Sequence, residues 1–143
     1  LHRPSATDPS VAPPGCDAFY ALCPVPNLDG ETDWAREGER RRQAVIRRLS
    51  ATVLPGLETE IVTSSFVTPL HFRDALLSEK GSGFSLEPVL TQSAWFRPNN
   101  RSENIEGLYL VGAGTHPGAG LPGVLSSAKI LDKVVPHASA FSA

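Results

Sequence analysis

The chain predicts an α+β fold, and three observations predict it. Apolar extended runs at residues 17–25 and 60–68 are bounded by proline, glycine and polar turn residues, as strands are. An amphipathic stretch at 33–53 repeats with helical spacing between a start signal at Asp33 and a stop at Pro55-Gly56. Residues 108–111 then form an apolar strand that enters a loop poor in side chains and, beyond it, a helix at 124–135.

Taken in order, residues 1–16 carry Pro4, Pro9, Pro13 and Pro14 and read as an extended loop, because proline lacks an amide proton and restricts the residue before it. The run 17–25 is apolar around Phe19, Tyr20, Leu22 and Cys23, which suits a strand buried on both faces; Pro24 and Pro26 close it. A turn follows at Asp29-Gly30. On the helix 33–53, Trp34, Gly38, Val45, Leu49 and Val53 approximate one face, and Arg36, Arg40, Arg41, Arg42, Arg47 and Arg48 occupy the other. The basic face has two readings. It is either drawn to anionic lipid or simply solvated, with Glu37 and Arg41 at pairing distance; charge runs are more often the second. Thr68-Pro69 leads from the strand 60–68 into a short helix, 70–78, with Phe72, Leu76 and Leu77 on its apolar side, and Gly81-Ser82-Gly83 breaks it. Residues 84–96 form an aromatic-rich extended region and 97–101 a polar loop.

The functional signal concentrates in residues 112–123. Glycines there bring peptide N–H groups up to a ligand with no Cβ in the way, and the following helix aims its positive dipole end at the same place. Pro122 suits the first helical turn, where a missing N–H costs nothing. Gly118-Ala119-Gly120-Leu121-Pro122-Gly123 spells G-x-G-x-x-G, but that fingerprint needs a strand directly before it and an acidic residue about twenty positions on, inside a complete βαβ unit. The strand ends at Val111 and no second strand follows, so a self-contained Rossmann site is excluded. The plain alternative is a helix-entry loop whose glycines serve packing.

Of the four histidines, His2, His71, His116 and His137, only His116 lies in this loop; it either meets a cofactor or substrate in a catalytic role or bonds the loop's own backbone. Just upstream, Gln92, Trp95, Phe96 and Arg97 join two aromatics and a cation, fit to wall a flat ring system and an apolar substrate or, equally, to pack inward.

Composition excludes several classes. A net charge of -2 gives no footprint for nucleic acid. Cys16 and Cys23 lie far from any histidine pair, so no metal site is expected, and a reduced, intracellular setting fits them. No run of eighteen apolar residues occurs and no export signal precedes residue 20, so the chain is expected neither to span a membrane nor to be secreted. With no methionine, even at position 1, it is expected to be processed or a piece of a longer protein.

Leu108-Tyr109-Leu110-Val111-Gly112-Ala113-Gly114-Thr115-His116-Pro117-Gly118-Ala119-Gly120-Leu121-Pro122-Gly123 resembles the C-terminal signature of bacterial and fungal phytoene desaturases, flavoproteins of carotenoid biosynthesis. Leu86-Glu87-Pro88-Val89-Leu90-Thr91-Gln92-Ser93-Ala94-Trp95-Phe96-Arg97-Pro98 and Thr7-Asp8-Pro9-Ser10-Val11-Ala12-Pro13-Pro14-Gly15-Cys16 resemble further family segments in the same order, and the likeness runs to about Lys129. The resemblance implies an FAD-dependent oxidoreductase that desaturates phytoene to neurosporene or lycopene, binding peripherally at the cytoplasmic side of a membrane. It implies an α/β parent of two domains: residues 1–104 would be the end of a substrate and membrane-facing domain, and 105–143 the closing strand, loop and helix of a Rossmann-like FAD domain. FAD would then meet Gly112, Ala113, Gly114, Thr115, Gly118, Gly120, Leu121, Pro122, Gly123 and Val124. The family's N-terminal βαβ unit, which holds the ADP half of FAD, has no counterpart here, so the missing N-terminal part of the same enzyme is an expected partner and the chain alone is expected to be inactive. Related flavoenzymes often carry an acid at the end of this strand to bind the ribityl chain; here Ala113-Gly114-Thr115 stands in its place, with the Thr115 hydroxyl as the substitute. The rivals are a sibling carotenoid desaturase or isomerase and a non-catalytic remnant that binds apolar ligands or membranes.

Overall fold

Helices carry the architecture. The structure, a computed structural model, describes residues 1–87 and 89–141, and of Ala138 and Phe141 only the backbone. Helix α1, Trp34–Ser50, starts where Asp33 accepts a hydrogen bond from the Ala35 amide at 3.1 Å, and Arg47 and Arg48 complement the dipole in its last turn. Gly38 lies under the crossing segment: a Cβ there would stand 2.9 Å from both the Phe66 ring and the Thr68 methyl. After the four-residue helix α2, Leu57–Glu60, the chain crosses α1 and enters α3, Pro69–Leu76, with proline in the first turn as expected. Phe72 of α3 packs over Gly83. The loop before α1 is tied to the turn after α3 by the Leu28 amide on the Lys80 carbonyl and by a 2.6 Å ion pair between Lys80 and Asp29. Helix α4, Leu121–Val134, ends two residues before Pro136.

The expected strands are the correction. Among the described residues there is none; two isolated antiparallel bridges remain, His2 with Tyr20 and Arg101 with Tyr109. Residues 17–25 run extended but exposed, with Tyr20 and Leu22 more than half accessible. Residues 60–68 lie over α1 without a partner strand, and 84–96 contains 3-10 turns at Leu90–Gln92 and Ala94–Phe96; Pro88 lies outside the described residues. Among the described residues, 108–111 keep two backbone bonds across to the preceding segment, between Leu110 and Asn100 and between Leu108 and Ser102, and a local one from the Leu108 amide to the Ile105 carbonyl. An apolar extended run is a strand only when a neighbour takes up its backbone groups and layers cover its faces, and the described residues supply neither.

The same shortage shows in packing. Trp34 is the one large apolar side chain among the described residues that is buried, with the Arg41 guanidinium 5.1 Å from its ring centroid. Glu37 therefore pairs not with Arg41 but with Arg40, at 3.3 Å. Arg42, expected on the solvated face, instead bridges Glu39 and the Ser64 hydroxyl. Leu76 and Leu77 are exposed, leaving Phe72, with Pro69 and Leu70, on the inward side of α3.

Candidate functional site

What lies buried around the glycine loop is polar: Arg97, Asn100, Thr115 and Ser127. Ser127 has no exposed surface and faces inward from the middle of α4. Its hydroxyl accepts the Gly112 amide at 2.9 Å and the Asn100 side-chain amide at 3.1 Å, and lies 2.9 Å from the Thr115 hydroxyl. The Thr115 hydroxyl donates to the Gly112 carbonyl at 3.0 Å, so the Ser127 proton is the one shared between the two hydroxyls. Ser127 thus uses its single donor and both lone pairs. Asn100 closes the ring by donating to the Leu110 carbonyl at 3.1 Å while its own carbonyl accepts the Leu110 amide.

Arg97, 4 % exposed, holds the loop from the other side. Its guanidinium donates to the carbonyls of Ala113, at 2.8 Å, and Leu86, at 3.1 Å, and its Nε lies under Gly118. No carboxylate pairs with it among the described residues.

The consequence is a local asymmetry at Gly112, Ala113 and Gly120. The carbonyls of Gly112, Ala113 and Gly120 are taken up inside the protein, by Thr115, Arg97 and the Val124 amide. The amides of Ala113, Gly114, Gly118, Ala119, Gly120, Leu121 and Gly123 donate to no other described residue. Gly112 (φ +118°) and Gly120 (φ +89°) hold left-handed backbone at which a Cβ would meet nothing, so they bend the chain beside open space. Gly123 has a packing role: a Cβ there would come within 2.5 Å of the Gly118 carbonyl. The packing reading of the glycines therefore holds at Gly123, and Gly112 and Gly120 border open space. Leu121 and Pro122 are exposed at the start of α4 and Val124 is half-buried.

His116 is tied into this frame. Its amide donates to the Pro98 carbonyl at 2.9 Å, and its Nδ1 lies 3.0 Å from the Ala94 carbonyl, which fixes the proton on Nδ1 and leaves Nε2 as the free ring atom. The Trp95 ring meets it edge-on, centroids 6.5 Å apart. Trp95, Phe96 and Arg97 line an open concavity of about 640 Å³ with Leu110, Asn99 and the polar residues 101–104; Gln92 does not reach it, nor does the glycine loop. The exposed Trp95 and Phe96 are thus surface rather than core. Two organising residues, Asn100 and Ser127, escaped sequence reasoning. Ser127 had a legible signal, a hydroxyl on the face of α4 that Val124 and Leu131 otherwise make apolar.

The profile of the family described as flavin containing amine oxidoreductase matches residues 20–130. The chain belongs to that family. It is 56 % identical over 130 residues to a lycopene-forming phytoene desaturase of Pseudescherichia vulneris, which covers 90 % of this chain and 26 % of that protein. A neurosporene-forming phytoene desaturase of Rhodobacter capsulatus is 51 % identical over 140 residues, 96 % of this chain and 27 % of that protein. A zeta-carotene-forming phytoene desaturase of Myxococcus xanthus is 39 % identical over 132 residues, 92 % of this chain and 26 % of that protein. The chain spans about a quarter of the length of these curated relatives. No solved structure matches it. Among the described residues no helix is long and apolar enough to cross a membrane.

Proposed function

We propose that this chain is the C-terminal part of an FAD-dependent desaturase that converts phytoene to neurosporene or lycopene. The observation that carries the reading is the 56 % identity to a lycopene-forming relative across 90 % of the chain, glycine loop included. The loop's chemistry agrees with it. Free amides beside Cβ-free backbone, with the carbonyls of Gly112, Ala113 and Gly120 withdrawn, suit a ligand rich in oxygen acceptors, as the phosphates, ribityl chain and ring carbonyls of FAD are. FAD, when bound, supplies the hydride acceptor that no side chain provides.

In this reading the free amides of Ala113 and Gly114 hold the ribityl and pyrophosphate portion, and those of Gly120, Leu121 and Gly123, with the dipole of α4, meet the negative edge of the ring. His116 offers only Nε2 to flavin or substrate, its Nδ1 proton being committed to Ala94. Trp95 and Phe96, with Gln92 and Arg97 behind them, wall the ring and the apolar substrate. Residues 105–143 complete the FAD domain and 1–104 come from the substrate domain. The exposed apolar side chains at Tyr20, Leu22, Leu121 and Leu125 meet the remainder of the enzyme. Peripheral attachment to a membrane, the source of so apolar a substrate, is supported by Arg36, Arg47 and Arg48, exposed on α1 and without an ion-pair partner among the described residues.

The test is the full-length protein containing this chain, given FAD and membranes loaded with phytoene. A visible-absorbing polyene is the expected product; isomerised phytoene with no new double bond, or no flavin uptake, would overturn the reading. Gly120→Asp in that protein is expected to purify without flavin.

A further inference from the structure

We infer that Ser127, acting with Asn100 and Thr115, is a positioning residue that fixes the Gly112 peptide groups inward and so turns the Ala113 amide of the glycine loop outward as a hydrogen-bond donor for its ligand. The inference rests on the flavin reading above and adds residues that family membership does not name.

A glycine-rich loop has no preferred orientation of its own, since each peptide can rotate to present either its N–H or its carbonyl. In a turn closed by the Thr115 amide on the Gly112 carbonyl, at 3.2 Å, the middle peptide, between Ala113 and Gly114, is the one free to rotate, and Arg97 holds it through the Ala113 carbonyl; the peptide between Gly112 and Ala113 sets the start of the turn. Two bonds fix its neighbourhood. The Gly112 amide is held by Ser127 Oγ, and the Gly112 carbonyl by the Thr115 hydroxyl, which is itself held by Ser127. With the Gly112 carbonyl anchored inward by this pair and the Ala113 carbonyl by Arg97, the amides of Ala113 and Gly114 have no internal acceptor and face the ligand. Asn100 fixes the hub in turn, because its side-chain amide reaches both the hydroxyl and the carbonyl of Ser127, at 3.1 and 3.3 Å. The hub is fully buried and every Ser127 hydrogen-bonding site is used, so losing one hydroxyl strands partners on three segments: residues 100, 112 and 115.

The experiment uses the full-length flavoprotein with Ser127→Ala, Thr115→Val and Thr115→Ser. FAD dissociation constants are measured on the apoprotein, and visible spectra and midpoint potentials on the reconstituted protein. Ser127→Ala and Thr115→Val are expected to weaken FAD binding about tenfold or more, a loss of about 1.4 kcal/mol or more, and to shift the flavin absorption band and potential. Thr115→Ser, which keeps the hydroxyl, is expected to stay within about twofold of the parent. Should Ser127→Ala fail to fold, the Thr115 pair decides, since valine matches threonine in shape. Unchanged dissociation constants and spectra in Thr115→Val would overturn the inference, as would equal weakening in Thr115→Val and Thr115→Ser. If the parent protein takes up no flavin, the flavin reading falls first and this one with it; if the parent binds normally and the variants match it, only this one falls.

Discussion

Residues 34–83 and residues 94–134 are organised by opposite means. The first unit is built from helices whose starts and stops are local: Asp33 caps α1, Pro69 opens α3, and exposed pairs such as Glu39 with Arg42 decorate the surface. Its tertiary contacts are mainly apolar, Trp34 inside and Phe66 across Gly38. In the second unit the interior is a network of polar groups, Arg97, Asn100, Thr115 and Ser127, and the apolar side chains Trp95, Phe96, Leu121 and Leu125 are outside. The difference teaches where binding geometry is stored. Buried hydrogen bonds fix orientation more sharply than apolar contact does, because each bond has a direction and leaving one unmade is costly.

The comparison breaks most readily at Asn100. Asn100→Asp would set a carboxylate against the carbonyls of Leu110 and Ser127, which now accept from the side-chain amide. In the full-length protein this is expected to cost about 3 kcal/mol, as for a buried charge left without a donor, and to lower both the melting temperature and the flavin content. A smaller effect is expected from Gly38→Leu, which drives a side chain into the Phe66 ring and the Thr68 methyl. Overpacking of this kind costs about 1–3 kcal/mol. Melting should fall while the flavin dissociation constant stays put, and a matching loss of flavin affinity would erase the distinction between the two units.

The smallest effect sharpens the comparison on the surface. Hydrogen bonds from Arg42, and then from Gln43, hold the Glu39 carboxyl below the ordinary glutamate range. A carboxyl whose pKa is depressed by folding stabilises the fold above its unfolded pKa, about 4.3, and that contribution disappears as pH falls through the folded value. Glu39→Gln should therefore lower stability slightly at neutral pH and converge with the parent in acid, with the gap narrowing in high salt because the pair is exposed. Thermal melts at two pH values and two salt concentrations check this.

Residue patterns gave α1, α3 and α4 to within three residues at each end, since caps, prolines and apolar spacing act within a few residues of one another. The same patterns expected strands at 17–25, 60–68 and 108–111, and there the described residues hold only extended segments and isolated bridges. Pattern reports a residue's capacity for a sheet; the hydrogen-bonding neighbour that realises it lies elsewhere in the chain's surroundings. The glycine loop was legible as a stretch poor in side chains that leads into α4. Which glycines bend beside open space, at 112 and 120, and which admits a crossing carbonyl, at 123, was not.

Sequence by itself thus determined the helices, the family and the position of the candidate site, because those depend on local composition and spacing. Tertiary structure alone decided that Arg97 reaches back to the Ala113 carbonyl and that Asn100, 27 positions from Ser127, meets its hydroxyl. The physical reason is that a polar side chain can satisfy itself in many ways until folding removes water and leaves it one partner.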